Sequence, residues 1–304
     1  MSELTREEWL ARRRSGIGGS DVAAVLGLSP WKSPRQVWLD KTTDATDDRQ
    51  TMPMLLGTIL EPEVLRLYSE QTGVPVRRSH LLWRHEEHKH LIANVDATAR
   101  HRIVEAKTAR SRDGWGEPGS DDVPEQYWLQ VQHYLYVSGR DFADLAVMFL
   151  SDPKPEVSIY TMRPASEYPE LVGELNEWWA RHVIEGVEPS PYSTSEAAER
   201  WRQSRQGSRV DATPAVLESI RQLAAVRAQL KALEAEEEHL KLAIQLHMED
   251  GEQLMDGDSV LATWKSSSSS RLDLGQLRQR YPEQAAECTV ASVSRRFLLK
   301  GQKS

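Results

Sequence analysis

The segment Asn94-Val95-Asp96-Ala97, followed by Ile103-Val104-Glu105-Ala106-Lys107, puts two carboxylates and one ammonium on what reads as a pair of adjacent strands. Side chains two apart on a strand leave the same face, so Glu105 and Lys107 project together, and a hairpin would bring Asp96 to them. Hard divalent cations prefer carboxylate, carbonyl and water oxygens; Asp96, Glu105 and the backbone carbonyl of Ala106 could form a partial shell that waters complete. Such a site lowers the pKa of a bound water and neutralises charge on a phosphodiester, with Lys107 orienting or deprotonating the attacking water. Taken alone, a Glu-x-Lys pair is far more often an ion pair on a solvent-facing hairpin, so the weight rests on its company.

Gln130 and Tyr134 lie four apart on a helical pattern, hence on one face, where Gln130 could hold the water or a phosphate and Tyr134 could back the site and contact the DNA substrate. Gln132 and Tyr136 repeat the spacing, so two registers are open. Upstream, Glu61 could add a metal or water contact, or close a capping box with Thr58, with Pro62 marking a helix start. Near the N-terminus, Arg12 to Arg14 lead into Gly16-Ile17-Gly18-Gly19-Ser20-Asp21. Small residues there would let backbone N–H groups approach a phosphate while an arginine supplies charge. A plain loop with Ser20 as N-cap is the competing reading. No Gly-Lys-Ser/Thr follows, so it is not a P-loop.

These residues need elements to position them. Glu7 to Arg14 reads as a helix, Ser20 starts a short one ending at Gly27, another begins near Pro34, and residues 55 to 72 carry apolar positions at helical spacing before Gly73. A meander of strands is expected over Val74 to Arg78, Leu81 to Trp83, Leu91 to Thr98 and Arg102 to Thr108. Residues 109 to 123, with three glycines and several acids, read as a mobile loop on which Trp115 could stack on a DNA end. Then come a helix from Pro124 to about Ser138, strands over Phe142 to Leu150 and Val157 to Met162, and a helix near Pro169 to Glu185. Residues 1–190 thus form an α/β (α+β) domain with a central mixed sheet, and 191–214 read as a linker. Residues 215–304 read as an interaction arm: a long helix with Val216, Leu223, Val226, Leu230, Leu233, Leu240 and Ile244 in heptad register, then a hairpin around Asp256-Gly257-Asp258. His85, His88 and His90 lack metal-site spacing and read as an exposed turn.

Composition narrows the function. The 304 residues are 39% hydrophobic and 28% charged, enough for a real core. A single cysteine, Cys288, excludes an internal disulfide or thiolate metal site and fits a reducing cytoplasm. No signal-peptide pattern opens the chain and no apolar run is long enough for a membrane span. The net charge is -8. Residues 1–210 alone hold 32 acidic and 26 basic side chains, so DNA would have to be gripped locally, by Arg12 to Arg14, Arg77-Arg78, Arg110-Arg112 and a metal, rather than coated.

In order along the chain, Gly16 to Asp21 with Leu26-Gly27-Leu28-Ser29-Pro30-Trp31, then Gly57 to Glu61, Asn94 to Asp96, Val104 to Lys107 and Gln130 to Tyr134, resemble the YqaJ-type phage recombinase exonucleases. That family is lambda-exonuclease-like and lies within the PD-(D/E)XK nuclease superfamily; the resemblance covers roughly residues 6 to 190. It implies a restriction-endonuclease-like core and an ATP-independent 5′-to-3′ exonuclease on linear duplex DNA, dependent on Mg²⁺ with Mn²⁺ as a possible substitute. It also implies 3′ single-stranded tails handed to an annealing protein, a trimeric ring, and a phage or prophage protein in the bacterial cytoplasm. By the same resemblance Asp96 and Glu105 are metal ligands, Lys107 the catalytic lysine, Glu61 the upstream acid and Gln130 the helix glutamine, while Arg14 and Ser20 fall in the 5′-phosphate pocket. Val95 stands where the superfamily pattern has Pro. A structure- or sequence-selective endonuclease and a catalytically inactive scaffold are the rival readings.

Overall fold

The computed structural model describes residues 11–43, 51–79, 81–152, 154, 156–290 and 293–299. The expected first helix from Glu7 lies partly outside them; residues 11–14 are helical. The chain divides into two units, Met1–Glu196 and Ala197–Ser304.

The first unit runs α1 (Gly19–Val25), α2 (Pro34–Thr42), α3 (Met52–Thr72), β1 (Arg77–Arg78), β2 (Leu82–Arg84), β3 (Ile92–Asn94), β4 (Ala97–Ala99), β5 (Arg102–Ala109), α4 (Glu125–Ser138), β6 (Phe142–Phe149), β7 (Val157–Met162) and α5 (Tyr168–Trp178), which continues as a π-helical segment, Trp179–Ile184. A five-stranded mixed sheet has the order β1-β4-β5-β6-β7, with β5 and β6 parallel and the other neighbours antiparallel. Parallel pairing demands a long crossover, and α4 with its preceding loop provides it.

Strand alternation sorts the side chains onto two layers. Val104, Ala106, Ala146 and Met148 pack with Val64, Leu65 and Tyr68 of α3. Ile103, Leu145, Val147 and Phe149 pack on the other face with Val22 of α1, Leu129 and Leu135 of α4 and Leu175 of α5. Helices on both faces of a mixed sheet are the α/β core that the sequence predicts. Glu105 and Lys107 share the α4 face with Ile103.

Three local differences matter. The Leu91 to Thr98 segment is two strands rather than one: it breaks at Val95-Asp96, where β3 leaves its own two-stranded ribbon with β2 and β4 enters the main sheet. The expected single meander is therefore split. α3 is continuous through Pro62, so Glu61 sits in mid-helix and the capping-box reading fails. Gly18, not Ser20, is the N-cap of α1, with the Asp21 carboxylate accepting the Gly18 N–H at 3.2 Å.

A short helix, α6 (Thr194–Arg200), falls where a linker was expected. The second unit carries α7 (Pro214–Met248), the hairpin β8 (Gln253–Asp256) and β9 (Ser259–Thr263), α8 (Leu274–Arg280) and α9 (Pro282–Glu287). Gly257 takes the positive φ of the hairpin turn. Among the described residues no helix is long and apolar enough to cross a membrane.

Candidate active site

The β4–β5 ladder ends at Ala97↔Val104, so the edge of β5 beyond Val104 has no strand beside it. Asp96, in the bend before β4, fills that gap: Ala106 donates its backbone N–H to Asp96 Oδ2 at 2.9 Å. The N–H and C=O of one strand residue face the same edge, so the Ala106 carbonyl opens toward Asp96 as well. Glu105 points into the α4 face, with its side chain only 4% exposed. Its Oε1 accepts from Lys107 Nζ at 2.8 Å and from Gln130 Nε2 at 2.7 Å. Its Oε2 is buried with no hydrogen-bond partner among the described residues.

The electrostatics follow from crowding. Burial raises the Asp96 carboxyl well above the usual carboxylate range, and the Glu105 charge raises it further, against Lys107 and the Ala106 N–H. Burial pulls the Lys107 ammonium down, but Glu105 and Asp96 more than reverse this and hold it charged. Glu61, on α3, is raised by burial and by the Asp96 charge, while Arg78 binds it at 2.7 Å. Glu61 therefore belongs to the same electrostatic neighbourhood, with Arg78 spent on it rather than open to DNA.

The helix register is resolved by contacts. Gln130 faces Glu105 and also donates to Tyr134 Oη at 2.8 Å. Gln132 turns the other way, donating to the Arg163 carbonyl and accepting from the Ala165 N–H, both at 2.9 Å. Tyr134 is buried at 4% exposure, so it braces Gln130 and cannot touch DNA as the substrate contact expected of it. Its ring lies against Gly19: a Cβ there would come within 2.5 Å of Tyr134 Cε1. Glycine at the first turn of α1 thus lets that helix approach α4 and the site.

At the start of α1, Arg13 rather than Arg14 reaches Ser20, donating to its Oγ at 3.4 Å and to Asp21 Oδ1 at 3.5 Å. Sequence reasoning missed Asp21. This buried carboxylate gathers Lys41 at 2.6 Å, Lys32 at 3.2 Å and Arg13 around one point. Burial pushes it up, and the three cations outweigh that and hold it far below the ordinary range. The available signal was a lysine at Lys41 on a helix face otherwise headed for the core.

Trp115 is a correction. It is not displayed on a mobile loop; its ring packs against Tyr127, Tyr160 and Phe149, with centroids 5.2 to 5.6 Å away. The loop is pinned by Gly116 N–H to the Asp122 carbonyl, Gly119 N–H to the Ile159 carbonyl and Tyr160 Oη to the Gly116 carbonyl. Arg112 likewise turns to Asp152 and Ser158.

Among the described residues no three His, Cys, Asp or Glu side chains close into a metal-binding group. What is offered is a carboxylate pair, a carbonyl edge and one orphaned buried oxygen, Glu105 Oε2. That donor set is all hard oxygen, and it suits a hydrated divalent cation that keeps several waters.

The same segments carry the kinship. The YqaJ-like viral recombinase domain matches residues 8–141. Protein YqaJ of Bacillus subtilis (strain 168), described as uncharacterized, is 31% identical over 98% of this chain and 95% of its own length. The chain belongs to the YqaJ family. The chain is also similar to the uncharacterized protein R354 of Acanthamoeba polyphaga mimivirus, 28% identical over 47% of this chain and 28% of that one. Among solved structures, the LHK-Exo complex with dAMP (the alkaline exonuclease of Laribacter hongkongensis) is 21% identical, covering 59% of this chain and 93% of that one, with a TM-score of 0.49. A phage-related exonuclease from Haemophilus somnus 129PT is 10% identical over 59% of this chain and all of its own, with a TM-score of 0.44.

Proposed function

We propose that this YqaJ-family chain is a divalent-metal-dependent, ATP-independent nuclease that degrades linear duplex DNA from a 5′-phosphorylated end. The observation that carries the reading is the Asp96–Glu105–Lys107–Gln130 cluster, with a buried carboxylate oxygen left without a partner among the described residues. Burying two carboxylates side by side is costly unless cations compensate them, and Lys107 supplies only one charge. Asp96, Glu105 and the Ala106 carbonyl would hold Mg²⁺, which supplies charge neutralisation for the phosphodiester and acidifies a water.

The protein's own residues do the positioning. Asp96 is oriented by the hydrogen bond that its Oδ2 accepts from the Ala106 N–H. Gln130 fixes Glu105, and Tyr134 fixes Gln130, so the carboxylate is preorganised by two hydrogen bonds in series. Lys107 keeps its ammonium 2.8 Å from Glu105, placed to orient a water or to bind a phosphate oxygen. Arg13 with Ser20 forms the candidate pocket for the terminal phosphate, with Lys32 beside it through Asp21. Production of 3′ tails for an annealing protein, assembly as a ring, and a partner-binding role for the second unit belong to the same reading and draw on the family resemblance.

Linear duplex with 5′-phosphates should be degraded in Mg²⁺ while a covalently closed circle survives, and Lys107→Ala should abolish degradation. Equal cutting of the circle would make the chain an endonuclease, and DNA binding without cleavage in any divalent metal would make it a scaffold.

A further inference from the structure

Trp31 stands on the loop between α1 and α2 with 67% of its surface open. Exposure alone says little, since single apolar side chains are common on surfaces; what sets this one apart is the fixed loop beneath it and the rings behind it. The loop under it is fixed. Leu28 and Ser29 donate their N–H groups to the Ala23 carbonyl at 2.7 and 3.0 Å, and Trp31 and Lys32 donate theirs to Ser29 Oγ at 3.2 and 3.3 Å. Tyr192 Oη donates to the Gly27 carbonyl at 2.7 Å, where Gly27 takes a φ of 73° that favours glycine. Ser33 is held by the Glu196 carboxylate.

Behind Trp31 is a row of rings. Tyr127 lies 5.9 Å from it, tilted by 42°, and Trp115 stacks on Tyr127 at 5.3 Å. Tyr127 and Trp115 are half-buried and packed on the core, so only the outermost ring of the row is open. Lys107 Nζ lies 5.9 Å from the centre of the same Tyr127 ring. The two legs bound the distance from Trp31 to the ammonium at under about 12 Å. Bases along one strand rise about 3.4 Å each, so Trp31 is within three or four base steps of a phosphate beside Lys107. Lys32, next to Trp31, reaches Asp21, the residue after Ser20, so an ion pair ties the loop that carries this ring to the candidate phosphate pocket.

We propose that Trp31 is a stacking platform for the 5′-terminal nucleobase of the DNA end, with Tyr127 as the buttress that sets its distance from Lys107. Within a duplex the base faces are covered by neighbouring pairs, and only a terminal or frayed base offers a free face. A platform of this kind therefore selects ends over interior sites. Stacking on an aromatic face is tolerant of base identity, which suits a nuclease that must pass through any sequence. The platform is preorganised, so little ordering entropy opposes binding.

The inference rests on the DNA-end reading above, and the test separates the two. The probe is a short 5′-phosphorylated duplex with 2-aminopurine at the 5′ terminus, titrated in EDTA so that binding is read without cleavage. The wild-type chain should quench the fluorophore. Trp31→Ala should lose the quench and weaken binding by about 5- to 150-fold, the equivalent of 1–3 kcal/mol for one stacked base. Trp31→Phe should recover most of both. In Mg²⁺, Trp31→Ala should raise KM with a smaller change in kcat. Cleavage by the wild type together with unchanged quench and affinity in Trp31→Ala overturns the role of Trp31 and leaves the nuclease reading standing. A wild-type chain that neither binds nor cleaves the duplex overturns both.

Discussion

Gly19→Ala is the substitution that probes the joint between the N-terminal helix and the site. A Cβ at Gly19 would sit 2.5 Å from Tyr134 Cε1, 2.9 Å from Cζ and 3.0 Å from the Gln130 carbonyl. None of these can yield cheaply: the ring is buried, its hydroxyl is bonded to Gln130, and the carbonyl is helix backbone. Overpacking of this kind costs about 1–3 kcal/mol. For a unit of this size each kcal/mol lowers Tm by roughly 2–4 °C. The change should also displace Gln130 from Glu105 and slow cleavage. Chemical denaturation of Gly19→Ala, Tyr134→Leu and the double variant forms a thermodynamic cycle. The smaller leucine should make room, so the two single costs should fail to add, by about 1 kcal/mol or more. Additive costs, or a Gly19→Ala chain as stable and as active as wild type, would show that the α1–α4 contact does not support the site.

Two further predictions separate scaffold from chemistry. Gln132→Leu should destabilise the fold by about 1–3 kcal/mol through the loss of two hydrogen bonds to partly buried backbone groups while leaving the rate of folded protein unchanged; Gln130→Leu should reduce the cleavage rate more than it reduces stability in the same denaturation assay. His133 donates Nε2–H to the Ile92 carbonyl and accepts the Tyr168 hydroxyl at Nδ1, so the ring is held neutral, and burial lowers its pKa from 6.5 to about 4. Its contribution is fully present above pH 6.5 and is lost as pH falls toward 4, by up to about 3 kcal/mol. Denaturation across that range should show a steeper acid loss in the wild type than in His133→Gln, and equal slopes would refute it.

How much of this was legible in the sequence depends on which periodicity was in play. Glu105 and Lys107 are two apart on a strand, and strand alternation alone puts them on one face. The break at Val95-Asp96 was hidden, because Leu91 to Thr98 is apolar and β-prone throughout and the change of sheet leaves no compositional mark. Gln130 and Gln132 could not be told apart because α4 is buried on nearly all sides, so both glutamines satisfy a buried position. Trp115 was misplaced because Gly, Pro and Asp around it describe the local chain and not the aromatic floor of Tyr160 and Phe149 beneath. The cluster around Asp21 joins residues from three helical segments and a loop, and only the fold brings Arg13, Lys32 and Lys41 together.

The most direct test of the site is the dependence of single-turnover cleavage on divalent metal in wild type and in Glu105→Gln. Cleavage of a linear 5′-phosphorylated duplex should be absent in EDTA, appear with Mg²⁺ and return with Mn²⁺. Glu105→Gln, isosteric and still able to meet Gln130, should lose about 10²-fold or more at saturating DNA. Cleavage that persists in EDTA, or a Glu105→Gln chain as fast as wild type, would contradict the assignment of Asp96 and Glu105 as the residues that hold the cation.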